Sequence, residues 1–207
     1  MNNQKKLIDV TPFEPLVIKV NYDNWDLESI IPICEKLVEE APLKTHLELN
    51  DALSSVSNKL SPHLIPEFKP FYRWILPMVE HIMYNEWDLK RHIDIGISNS
   101  WVNVHGNGGI TDEHEHGATA LVAAAYITLP PNSGFIKFKD PLEYVKGIRP
   151  ENDGDRRFYK TVKAQQGDVL LFPGWLRHKT EPSKTDEKRW VLTTNFVAVL
   201  NKDKIKL

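Results

Sequence analysis

Three histidines and one arginine are the residues of this chain whose types and spacing could do chemistry. His114 and His116 stand one residue apart in Thr111-Asp112-Glu113-His114-Glu115-His116, just before the apolar run 118–129. On an extended strand, side chains at i and i+2 share a face. The two imidazoles would then project together while Glu115 points away. Neutral imidazole nitrogens are good ligands for iron, zinc, copper or nickel, and His178 offers a third. His178 closes Pro173-Gly174-Trp175-Leu176-Arg177-His178, which follows the turn and apolar run Gly167–Phe172. Further on, Arg189, Val191, Thr193 and Asn195 alternate so as to share a strand face. An arginine among apolar neighbours needs an anionic partner if it is buried. That partner is either a structural carboxylate or a dicarboxylate ligand.

Elements that could position these residues are legible from periodicity. Leu7–Val20 reads as extended, with Pro12 and Pro15 opposing any helix. Leu27, Ile30, Ile31, Cys34 and Leu37 recur at helical spacing after Asp26, and Pro32 either kinks this helix or delays its start. Ala52–Leu60 is a weaker, serine-rich helical stretch. Pro70–Met83 is a stronger one, in which Phe71, Trp74, Ile75, Met78, Ile82 and Met83 form a core-packing stripe. From Ile93 the period changes to two. Strands are expected near Ile93–Ile97, Trp101–His105, Thr111–His116, Thr119–Leu129, Gly134–Phe138, Tyr159–Ala164, Asp168–Phe172 and Trp190–Val199, separated by glycine- and proline-rich turns. Helices followed by many short strands argue for an α+β fold, a β-sandwich or jelly roll resting on helices. The charged stretch Leu142–Phe158 is a connecting loop or a lid.

The 207 residues suffice for one well-buried domain, with supporting elements in 1–91 and the strand-rich core in 92–200. A net charge of -2 gives no basic bias toward nucleic acid or anionic membranes. No apolar run approaches the ~20 residues that span a bilayer, and the N-terminus lacks the apolar stretch of a signal peptide. The single cysteine, Cys34, rules out an internal disulfide and reads as a small core residue. A cytoplasmic setting is expected. His46, His63, His81 and His92 read as surface or hydrogen-bonded histidines, whereas His105 lies near the candidate site.

Together these motifs resemble the Fe(II)- and 2-oxoglutarate-dependent oxygenases, whose signature is His-x-Asp/Glu…His followed by an arginine. They are more similar to a subfamily of uncharacterised oxygenases from phages and marine bacteria. The matching stretches here are Trp101-Val102-Asn103, Gly106–Gly109, His114-Glu115-His116, Tyr126, Phe172-Pro173-Gly174-Trp175-Leu176-Arg177-His178 and Arg189…Asn195-Phe196. The resemblance covers about half the chain, Ile93 to Val199, and implies a double-stranded β-helix, cupin-like in architecture. It implies iron on His114, His116 and His178, and the distal carboxylate of 2-oxoglutarate on Arg189 and the Tyr126 hydroxyl. Asn103 and Asn195 are expected to supply further cosubstrate contacts, and Trp101, His105 and Trp175 to contact the substrate. O₂ would be the oxidant, and a small-molecule or peptidyl group the substrate to be hydroxylated. Two departures stand out. His116 occupies the usual carboxylate position, with Asp112 an alternative ligand, and Val191 stands where a serine is usual.

Two other readings compete. Gly108 with His114-x-His116, and Gly167 with Pro173 and His178, also resemble the two cupin boxes, although the first lacks its glutamate. A three-histidine dioxygenase that uses no oxoacid would fit these. In a non-catalytic jelly-roll binding protein, the histidines would be incidental. For any metal site, three imidazoles must stay unprotonated, so affinity is expected to fall as pH drops through roughly 6.5.

Overall fold

The computed structural model describes residues 17–142, 158–201 and 203. Two helices and two layers of strand make up the described part. Helix α1 (Leu27–Glu39) follows strand β1 (Ile18–Asn21), and the Asp26 carboxylate caps it, accepting from the Ser29 N–H and hydroxyl. The helix runs through Pro32 with its start unmoved and buries Ile30, Cys34 and Leu37. Helix α2 (Lys69–His81) continues into a π-turn at Ile82–Glu86, and its apolar face buries Phe71, Ile75 and Val79. Phe71 stacks on Trp25 at 4.9 Å between ring centroids, and Tyr22 and Trp74 close the same aromatic cluster.

Ten further strands follow α1, the first nine being β2 (Glu48–Leu49), β3 (Ala52–Ser54), β4 (Ile93–His105), β5 (Ile110–Thr111), β6 (Leu121–Thr128), β7 (Ile136–Lys139), β8 (Tyr159–Val162), β9 (Asp168–Pro173) and β10 (His178–Thr180). The last strand is β11 (Arg189–Leu200). The main sheet has the order β1-β9-β6-β11-β4-β3 and is antiparallel throughout. A second layer consists of β10-β7-β8 and the small β2-β5 ladder. A two-way hydrogen-bonded bridge between His114 and His178, 3.0 Å each way, joins its two parts. The result is a jelly roll with helices against one face of its larger sheet.

Strand alternation separates two cores. Leu121, Ala123, Ala125 and Ile127 of β6 face the helices, as do Trp190, Leu192 and Phe196 of β11. Val122, Ala124 and Tyr126 face the interior of the roll with Leu170, Phe172 and Val191. Because β6 is buried on both faces, its sequence is a continuous apolar run rather than an alternation. Each fully buried leucine, isoleucine or phenylalanine contributes about 1.5–3 kcal/mol. The same alternation sends Arg189, Thr193 and Asn195 inward, so one period-two rule fixes both the core and the arginine-bearing wall of the cavity.

Three expectations need correction. Ala52–Leu60 is not helical: Ala52–Ser54 pairs with β4, and Ser55 is tied to Val102 by two bonds of 2.9 Å. Short polar side chains that bond the backbone favour such turns over helix. Ile93–Ile97 and Trp101–His105 are one continuous strand, β4. Regular strand ends at Thr111, so His114 is held by its bridge and not by a ladder. Residues 143–157 of the loop or lid stretch lie outside the described residues.

Candidate metal centre and anion pocket

His114 and His178 meet because each supplies the other's backbone hydrogen bonds. His116 joins them through its N–H, which donates to the Gly174 carbonyl at 2.8 Å. Gly174 must be glycine: a Cβ there would lie 2.1 Å from the Thr119 carbonyl oxygen. The candidate ligating nitrogens of His114, His116 and His178 lie within 4.8 Å of one another. Their convergence therefore comes from the bridge and the Gly174 turn, while Glu115 is exposed at the cavity edge.

The tautomers follow from the backbone. His114 Nδ1 stands 2.8 Å from the Asp112 carbonyl and His178 Nδ1 2.8 Å from the Leu176 carbonyl. A carbonyl only accepts, so each Nδ1 carries the proton and each Nε2 lone pair is free. His116 Nε2 faces His178 Nε2 at 3.3 Å. Burial is the main force keeping all three neutral. It lowers the His116 pKa to about 4, helped by His114 and opposed by Asn195. His178 is pushed well below its ordinary value by burial and then by the two other histidines. His114 is lowered by burial, with the Asp112 carbonyl opposing. Three neutral imidazoles with free lone pairs fit a divalent transition metal.

The centre opens into a cavity of ≈ 270 Å³ between the two layers. Arg189, fully buried, lines the same cavity. Its Nη1 donates to the Ser133 and Gly134 carbonyls at 2.5 and 3.0 Å, while Nε and Nη2 are buried without a partner. Burial lowers its pKa, with Tyr126 and Glu181 opposing. A guanidinium with two unsatisfied donors in a cavity fits an anion with planar oxygens, such as a carboxylate.

The other sequence-derived residues are distributed as follows. Trp101 stacks on His116 at 5.7 Å and 24° between planes. Asn103 and Asn195 line the cavity, each with a buried side-chain oxygen that has no partner. Tyr126 lines it too, its hydroxyl pushed up to about 12 mainly by burial, with the Arg189 charge opposing. His105 sits directly opposite Arg189 in the β4–β11 register. Its Nε2 meets the Thr111 hydroxyl at 2.8 Å, and its Nδ1 is buried without a partner. Burial and then Arg189 hold His105 well below the usual histidine range. Trp175 is 51% exposed and lies outside the cavity lining. The Asp112 carboxylate accepts the Glu113 N–H at 2.7 Å and is not in the histidine cluster. Glu113 pairs with Lys139, Arg177 and Tyr159. Sequence reasoning missed Glu48, Thr45, Leu47 and Val56, which line the cavity from the N-terminal segment. No motif or period marks them, so no sequence signal could have found them.

Comparison with known proteins agrees with this geometry. Residues 99–195 match the family described as "Putative 2OG-Fe(II) oxygenase". A comparison with curated proteins finds no match. Among solved structures, the chain is similar to the carbocyclase SnoK of nogalamycin biosynthesis, described as non-heme and alpha-ketoglutarate dependent. The TM-score is 0.59 at 14% identity, over 88% of this chain and 79% of that one. It is similar to HygX from Streptomyces hygroscopicus, solved with nickel and 2-oxoglutarate, at TM-score 0.57 and 13% identity, over 88% and 83%. It is also similar to a Pseudomonas putida prolyl-4-hydroxylase, at TM-score 0.57 and 13% identity, over 87% and 91%. At these identities the likeness is one of fold. No helix among the described residues is long and apolar enough to cross a membrane.

Proposed function

From a chain that is a 2OG-Fe(II) oxygenase over residues 99–195, we propose that His114, His116 and His178 hold Fe(II) and that Arg189 anchors 2-oxoglutarate in a hydroxylase. The observation that carries this reading is the Arg189 guanidinium, buried with Nε and Nη2 unpartnered in the cavity that the histidines share. An oxoacid-independent dioxygenase gives no reason for that arginine.

Bound iron would supply O₂ activation coupled to oxidative decarboxylation of the oxoacid. The remaining work falls to the chain's own groups. The Asp112 and Leu176 carbonyls fix two imidazoles with Nε2 unprotonated. Arg189 draws the distal carboxylate to its own side of the cavity. The Ser133 and Gly134 carbonyls hold its guanidinium in plane, so little ordering is left to occur on binding. His105, neutral beside Arg189, offers its buried Nδ1 to the same carboxylate. If the Thr111 hydroxyl donates to Nε2, Nδ1 carries the proton and acts as donor. Tyr126 adds a hydroxyl and excludes water. Val191 makes this side more apolar than the usual serine would. At ≈ 270 Å³ the cavity suits the cosubstrate and a side-chain-sized part of the substrate. The substrate is a small molecule or a peptidyl group whose remainder stays outside.

The test is an anaerobic Fe(II) titration of metal-free protein with and without 2-oxoglutarate, following the visible charge-transfer band between metal and oxoacid. One iron and a band in the wild type are expected. Arg189→Ala should weaken 2-oxoglutarate about 100-fold or more while leaving iron affinity within a few-fold, because a buried ionic partner is lost. Equal loss of both would give Arg189 a structural role. Iron binding without any response to 2-oxoglutarate would favour the cupin-type dioxygenase.

A further inference from the structure

We propose that Glu48 is the substrate-recognition residue of this cavity, and that it takes a cationic group, a primary amine or guanidinium, on the molecule to be oxidised. The proposal rests on the oxygenase reading above and adds the substrate class to it. Glu48 opens β2 and pairs with Thr111 of β5, and the neighbouring Leu47 carbonyl accepts the Asp112 N–H at 2.8 Å. This ladder sets Glu48 beside the segment that leads to His114 and His116. Its side chain lines their cavity, and its Oε2 is shielded from solvent without any hydrogen-bond partner.

Two unsatisfied groups of opposite charge therefore face one cavity. Nε and Nη2 of Arg189 and Oε2 of Glu48 each lack a partner and do not satisfy one another. A cavity that keeps a buried donor set and a buried acceptor apart is arranged for two ligands, or for two ends of different charge. Arg189 takes the dicarboxylate, which leaves Glu48 for a group that donates hydrogen bonds and carries positive charge. Among the described residues, the cavity lining has no lysine and no arginine besides Arg189, so nothing from the chain supplies that charge. The lining around Glu48 suits the rest of such a ligand: Leu47, Val56 and Trp101 offer apolar surface to an alkyl stem. Burial pushes the Glu48 carboxyl up to about 7, with its own backbone N–H opposing. A cation beside it would restore its charge.

The experiment uses protein loaded with Zn(II), which is redox-silent, and 2-oxoglutarate. Calorimetric titrations compare n-butylamine, agmatine and n-butanol as probes on the wild type and on Glu48→Gln. The expected result is that both cations bind the wild type at least tenfold more tightly than the alcohol. In Glu48→Gln that preference should disappear while 2-oxoglutarate affinity is unchanged. Equal binding of alcohol and amines to the wild type overturns the proposal without needing any variant. So does a cation preference that survives in a Glu48→Gln protein that still binds 2-oxoglutarate. In either case intact 2-oxoglutarate binding leaves the oxygenase reading standing. If 2-oxoglutarate does not bind the wild type, that reading fails and this one falls with it.

Discussion

Burial shifts the protonation of the three site histidines and of Glu48, and this gives two pH-dependent predictions of opposite sign. The site histidines have folded-state pKa values below 6.5, about 4 for His116. Above pH 6.5 they are neutral whether the chain is folded or not and contribute nothing to the pH dependence. As pH falls from 6.5 toward about 4, the unfolded chain takes up protons that the folded chain refuses, so metal-free protein loses stability in that window. Protons compete only weakly with metal until the lowered pKa values are approached. Metal affinity is therefore expected to hold near pH 6 and to fall toward pH 4, lower than the value of roughly 6.5 that unburied histidines would give. Fe(II) or Zn(II) titrations at pH 7, 6, 5 and 4 check this. Glu48 runs the other way. Its pKa rises on folding from 4.5 to about 7, so the folded state is penalised as pH climbs through that interval. Glu48→Gln should stabilise the metal-free protein by about 1–2 kcal/mol at pH 8, after discounting for partial hydration, and by almost nothing at pH 4.5. Thermal melts at the two pH values measure the difference.

Elements differ in how they were legible. Strands β4, β6, β9 and β11 show in the sequence because each is at least six residues long and follows either alternation or a continuous apolar run. Strands β2, β3, β5 and β10 have two or three residues each. No period can be read over so few positions, and partners distant in sequence decide their state. That is why Ala52–Ser54 reads as helical and pairs with β4 instead. Arg189 was legible from strand parity and the histidines from motif spacing, although a bridge and a turn, not a strand, bring His114 and His116 together. Glu48 stands in one of the two-residue strands, where neither exists. The short elements nevertheless position the site. Gly174 illustrates this: its N–H and carbonyl hold Ala120 and His116, and there is no space for a Cβ against Thr119. Gly174→Ala should cost about 1–3 kcal/mol by overpacking and weaken metal binding at least tenfold, by moving His116 relative to His178. Paired urea denaturation and metal titration separate the two effects.

At the scale of the molecule, the two cores divide the labour. The helix-facing core holds Phe68, Phe71, Ile75, Val102, Ile127 and Leu192, none of which lines the cavity. Removing metal should therefore leave far-UV circular dichroism unchanged, and melting should shift only by the linkage term for a bound ligand, about 2.7 kcal/mol at a hundred times Kd. Ile75→Ala should instead cost about 2–5 kcal/mol while leaving metal affinity alone. The cavity wall is divided as well. Thr45, Leu47, Glu48, Ser54 and Val56 come from one short stretch of chain. That stretch is fastened to the roll through the Leu47, Asp51 and Ser55 backbone and a few strand bonds. The histidines and Arg189 come from elsewhere. Residues 45–56 thus supply one wall of the cavity as a contiguous stretch. On the Glu48 proposal, changing only the cavity-facing side chains of this stretch would redirect the enzyme to new substrates, while its backbone pairing to Asn103, His105 and Thr111 has to be kept.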